Sequence, residues 1–124
     1  MADKLTEQFE AVAKQLVPLF TAHRAHLEIT RESEKGIYCA VPGRQGPDSF
    51  FGAVDIVKNY VSFHLMPVYI YPELMRDMDP RLKKRMQGKS CFNFKKINNA
   101  ELTALENLVV SSVKKYKETG YLTA

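Results

Sequence analysis

A chain of 124 residues with 45% hydrophobic and 26% charged side chains has the size and balance of one globular domain, able to bury roughly two-thirds of its unfolded surface without metals or disulfides. No apolar run nears the roughly 20 residues of a membrane helix, and the opening MADKLTEQFE carries acids where a signal peptide needs apolar residues, so the reading expects a cytoplasmic protein with no membrane partner. The net charge of +4 is unevenly spread: from Arg81 to Asn98 stand seven basic residues and no acid, which turns attention to anionic partners.

Leu5, Phe9, Val12, Leu16 and Leu19 recur at three- and four-residue steps and predict an amphipathic first helix. Asp3 is placed to cap it, and Pro18, which lacks an amide hydrogen, should break it before a last turn near Thr21. Two alternating runs follow, with Leu27 and Ile29 on one side of the first and Ile37, Cys39 and Val41 on one side of the second. Glu34-Lys35-Gly36 between them predicts a hairpin, with Gly36 supplying positive φ to the turn. The segment PGRQGPD reads as a loop.

FFGAVDIV and YVSFHL flank Lys58-Asn59, the pattern of a second hairpin. A two-residue connection pairs Val57 with Tyr60, Ile56 with Val61, Asp55 with Ser62 and Val54 with Phe63. One face then collects Val54, Ile56, Val61, Phe63 and Leu65, and must meet the core. The other collects Phe51, Asp55, Tyr60, Ser62 and His64 and is mixed. Pro72 and Pro80 stand where first helical residues would, Asp79 can cap the second short helix and Gly88 end it. CFNFK alternates again with Phe92 and Phe94 inward. Asn98 followed by Glu101 predicts a capping box, and the stripe Leu102, Leu105, Leu108, Val109, Val113 and Tyr116 carries a long last helix to about Glu118, stopped by Gly120. The order is α-β-β-β-β-α-α-β-α. The fold class is therefore α+β in one domain over residues 1–124: a mostly antiparallel five-stranded sheet with N- and C-terminal helices on one face.

KNYVSFHLMPVY, PELMRDMDPRLKKRMQGKSCFNFKK and the capped helix after them resemble the YdhG-like family of small bacterial proteins, best from about Val54 to Leu108. The resemblance implies one small α+β domain with helices on an antiparallel sheet. It implies no catalytic motif. Some members of that family are described as frataxin-like iron chaperones, so iron is the metal that the resemblance puts forward.

Four groups of residues could carry chemistry. Arg81, Lys83, Lys84, Arg85, Lys89, Lys95 and Lys96 form the basic stretch, whose plain alternative is a solvated face guarding an edge strand. Phe92 and Phe94 beside glycine and lysine suit a core better than base stacking, so nucleic acid is disfavoured as a partner. Tyr60, Ser62 and His64 share the mixed face of the second hairpin. With Phe92 and Phe94 inward, Lys89, Cys91, Asn93 and Lys95 join them, and the seven side chains together make a candidate ligand-binding set for a small anion, beneath the proline-rich segment from Pro67 to Pro80. Ser62 and His64 lack the orienting acid of a catalytic triad, because Asp55 falls opposite Ser62. Asp3, Glu7 and Glu10 lie on one helical face and form the candidate metal set, with Lys14 on the same stripe opposing a cation and able to pair with Glu10. Cys39 and Cys91 are expected as reduced thiols; Lys89 and Lys95 could favour the Cys91 thiolate, but a buried, inert thiol is the commoner outcome. His23, His26 and Glu28 could clasp a metal at the end of the first helix. The reading that results is a non-enzymatic small-ligand or anion-binding module. Its alternatives are an iron-binding protein, or nucleic-acid or protein interaction through residues 81–96. Oligomeric state is left open.

Overall fold

The computed structural model describes residues 4–76 and 78–122, and the side chains of all of these but Pro47 and Asp48. The first helix runs as α1 (Lys4–Leu16) and, after the break imposed by Pro18, as α2 (Pro18–Thr21). Phe9, Val12, Leu16 and Leu19 are buried as the stripe predicts, but Leu5 is half exposed, because the first turn of α1 overhangs the core. Asp3 lies outside the described residues.

Five strands form one antiparallel sheet in sequence order: β1 (Glu28–Ser33), β2 (Gly36–Ala40), β3 (Phe50–Val57), β4 (Tyr60–Leu65) and β5 (Cys91–Phe94). The β3–β4 register is the predicted one at all four pairs, from Val57 opposite Tyr60 to Val54 opposite Phe63. The turn between β1 and β2 is Glu34-Lys35, with Ser33 paired to Gly36. Gly36 does not have positive φ. Its requirement is space: a Cβ there would lie 2.7 Å from the carbonyl oxygen of Val54 on the neighbouring strand.

Phe51 departs from the predicted alternation. Cys39 pairs with Gly52 and Ala40 with Phe50, so β3 holds an extra residue at Phe51, a β-bulge. The bulge turns Phe51 to the helix side, where its ring meets Phe20 at 6.1 Å and Tyr116 at 5.4 Å, edge to face. Phe50 goes to the opposite face instead. Gly52 beside the bulge leaves room for the Phe20 ring, which stacks on Phe63 with centroids 5.0 Å apart.

After β4 the chain forms α3 (Met66–Ile70), a short helix that the sequence pattern did not predict, then a 3-10 turn at Pro72–Met75 and α4 (Pro80–Lys83). Asp79 caps α4 by accepting from the Arg81 amide at 2.8 Å. Gly88 does not end α4. It lies in the turn that folds residues 85–87 back along β5, with φ of 82° and with Asn93 N–H donating to Arg85 O and Gln87 N–H to Cys91 O. The outer edge of β5 is therefore covered by its own upstream segment, which limits strand-to-strand association there.

The last helix, α5 (Asn99–Thr119), opens on the predicted capping box of Asn98 and Glu101 and stops at Gly120, whose φ of 89° suits glycine. Glu101 also accepts from Arg85 Nε at 2.7 Å, so a carboxylate only 3% exposed is fully engaged. Helices α1, α2 and α5 cover one face of the sheet. Val54, Val61, Phe63, Leu65, Phe92 and Phe94 are buried beneath them.

Candidate functional site

Among the described residues no helix covers the other face of the sheet, and its side chains are set by register. Ser62 pairs with Asn93, and His64 pairs with Cys91. The Cys91 thiol donates to Asn93 Oδ1 at 3.3 Å, and its sulfur lies 3.8 Å from His64 Nε2. Ser62 is buried, whereas Tyr60, His64, Cys91 and Asn93 are half-buried. Three of the predicted set, His64, Cys91 and Asn93, thus form one connected polar group across β4 and β5, with Ser62 beside it opposite Asn93 and Tyr60 further along β4 at the hairpin end. Lys89 and Lys95 stand just beyond the two ends of β5 rather than within it, so strand alternation does not place them on this face. Both are exposed, and among the described residues neither is ion-paired.

Across the face, Asp55 is held by Arg31, with Nη2 and Oδ1 2.9 Å apart, a bond that joins β1 to β3 over β2. Ser62 Oγ reaches only the backbone oxygen of Asp55, at 3.5 Å. The carboxylate is therefore committed to Arg31 and unavailable to orient His64. Burial pushes the Cys91 thiol above its ordinary pKa, on the side of the inert thiol rather than of a thiolate favoured by Lys89 and Lys95. Cys39, on the helix side, is pushed up to about 12 by burial. Both thiols are free, matching the expectation of reduced cysteines. Such an arrangement can donate and accept hydrogen bonds.

Sequence reasoning missed the aromatic part of this face. Tyr38 and His64 sit on either side of Ala53 in the register. Phe50, sent here by the bulge, lies 5.1 Å from the Tyr38 ring and 6.4 Å from the His64 ring. Ala53, between them, is only 2% exposed. The three rings therefore form an arc over Ala53 with their outer surfaces toward solvent. The alternation of β2 placed Tyr38 opposite Ile37 and Cys39 and could have signalled its part. Nothing local signals a bulge at Phe51.

The remaining candidates fall elsewhere. The segment from Pro67 to Pro80 does not roof the mixed face. Val68 enters the core and Tyr71 packs edge-on against Tyr116 of α5, because the apolar side of α3 is drawn to the helix layer. Between that segment and α5 runs an open groove of about 790 Å³ bordered by Leu74, Met78, Asn99, Thr103, Asn107 and Ser111. The basic stretch is not one patch: Arg85 is tied to Glu101 and Arg81 lies 3.8 Å from Asp79, while Lys83, Lys84 and Lys96 are exposed.

In the candidate metal set, Glu10 pairs with Lys35 at 3.2 Å rather than with Lys14, and Glu7 is exposed. Asp3 again falls outside the described residues. Among the described residues, no three His, Cys, Asp or Glu side chains are grouped to hold a metal ion. His26 Nε2 is 3.0 Å from Lys117 Nζ, and an ammonium at that nitrogen opposes a cation there. Burial, followed by the nearby His26 and Lys117, lowers the His23 pKa. No protein-family model, curated protein or solved structure matches the chain.

Proposed function

We propose that this chain is a non-enzymatic binding module that holds a small anionic ligand on the open face of its sheet, at the β4–β5 end. The observation that carries the reading is the cross-strand group of half-buried His64, Cys91 and Asn93 beside buried Ser62, bounded at the two ends of β5 by Lys89 and Lys95, which have no ion pair among the described residues. The thiol takes up Asn93 Oδ1, so the Asn93 amide N–H groups have no protein partner among the described residues. A neutral donor beside two flexible cations suits a phosphate or carboxylate, because charge-assisted hydrogen bonds are the strong ones.

The test is ligand-induced thermal stabilisation over a panel of phosphorylated and carboxylated metabolites. A ligand at a hundred times its Kd should add about 2.7 kcal/mol, which for a domain of this size is a rise of several degrees in Tm. The reading expects at least one such ligand, with the rise reduced in Lys89→Ala, Lys95→Ala and Asn93→Ala. No stabilisation by any member of the panel, or equal stabilisation of parent and variants, would remove it.

A further inference from the structure

Resting on that reading, we infer that the ring arc of Tyr38, Phe50 and His64 is the second half of the same site, and that the ligand is a free nucleotide whose base stacks on the arc while its phosphate meets the β5 end. Two independent features meet here. The first is aromatic surface that the fold leaves facing water: Tyr38 is 36% exposed, and its ring continues through Phe50 to His64 over the buried Ala53. Base–aromatic stacking needs such a face and little else, since every base presents a π surface. The second is the polar group that begins where the arc stops. His64 belongs to both, with Phe50 on one side and Cys91, hydrogen-bonded to Asn93, on the other.

The distances suit one nucleotide laid across the strands. Phe50 on β3 is two strand spacings of about 4.8 Å from β5, a span that a nucleoside monophosphate bridges from base to phosphate. Charge then decides between a free nucleotide and a strand of nucleic acid. A strand needs cations that follow its backbone past the stacked bases on both sides. On the β1 side of this face, Arg31 is held by Asp55 at 2.9 Å, so its guanidinium is already ion-paired. Lys89, exposed and without an ion pair among the described residues, stands just beyond the Cys91 end of β5, the end that pairs with His64, while Lys95 stands beyond the opposite end. One stacking surface with one cationic end is the arrangement for a single phosphorylated nucleoside.

Equilibrium binding of adenosine 5′-monophosphate, ribose 5-phosphate and a single-stranded octathymidylate to the full chain tests this. Adenosine monophosphate should bind roughly tenfold to a hundredfold more tightly than ribose 5-phosphate, the gain expected from one stacked base. Tyr38→Ala should erase that ratio and Tyr38→Phe should keep it, while Lys89→Ala should weaken both phosphates alike. Ribose 5-phosphate bound as tightly as the nucleotide would overturn the stacking inference and leave the anion site standing. Octathymidylate bound with no binding of the mononucleotide would overturn the free-nucleotide assignment in favour of a strand. Binding of none of the three would overturn the inference, and the broader metabolite panel would then decide the anion site by itself.

Discussion

On the helix-covered face, Val54, Val61, Phe63, Phe92 and Phe94 are wholly buried, and Phe63 stacks on Phe20 and meets Phe92 edge to face. On the opposite face of the sheet, Phe50 lies against both Tyr38 and His64, yet Tyr38 is exposed and the other two are only half-buried. Ring contacts thus serve two ends in one sheet. Where a helix closes over them they remove apolar area from water and supply stability. Where nothing closes over them they leave a surface that another molecule can complete. The same holds for the cysteines: Cys39 is sealed on the helix side, and Cys91 is half-buried within the open polar group.

The largest expected difference between the faces is in stability. Phe63→Ala should lose about 3–5 kcal/mol by lost burial and a residual cavity, as chemical denaturation would measure. Tyr38→Ala should lose less than about 1 kcal/mol, because it empties no enclosed space. Similar losses in the two variants would mean that the arc supports the fold, and its assignment to ligand binding would fall.

A smaller effect is expected at Gly52, where an added Cβ would come within 2.5 Å of the Phe20 ring and 2.7 Å of the His64 carbonyl oxygen. The ring is locked between Phe51 and Phe63, and the oxygen is backbone, so neither can yield freely. Gly52→Ala should cost about 1–3 kcal/mol, again read by chemical denaturation. It should also disturb the open face, since the bulge that delivers Phe50 begins at this residue. Unchanged stability in the Gly52→Ala variant would show that the helix layer is looser than the sheet it covers.

The mildest probe leaves the protein unmutated. An aromatic disulfide reagent should modify Cys91 slowly and leave Cys39 untouched until the chain unfolds. A raised pKa means that the thiolate is scarce at neutral pH, so the Cys91 rate should climb with pH through and beyond the ordinary thiol range. For Cys39, held up to about 12, reaction should follow global unfolding instead. Equal native-state rates would erase the contrast between the faces.

The strands, the two long helices and the β3–β4 register were legible in the residues alone, because each rests on short-range physics. Alternation with period two fixes which of Val54, Asp55, Val61 and Ser62 share a face, and a two-residue turn fixes the pairing. Asn98 and Glu101 cap α5 through bonds spanning three residues. The same alternation puts Ser62, His64, Cys91 and Asn93 on one face without any knowledge that β4 pairs with β5.

Packing settled where alternation fails and what lies above each face. Phe51 turns inward because β3 carries one residue more than β2 at that point, a mismatch set jointly by two strands and by the space that Phe20 and Tyr116 leave. The proline-rich segment lies against α5 because Val68 and Tyr71 gain more by burial beside Tyr116 than over a polar sheet face. Glu10 meets Lys35 and Glu101 meets Arg85 across distances along the chain that no local spacing encodes. Periodicity reports which side of its own element a residue occupies; which partner waits on that side is settled only when the elements pack.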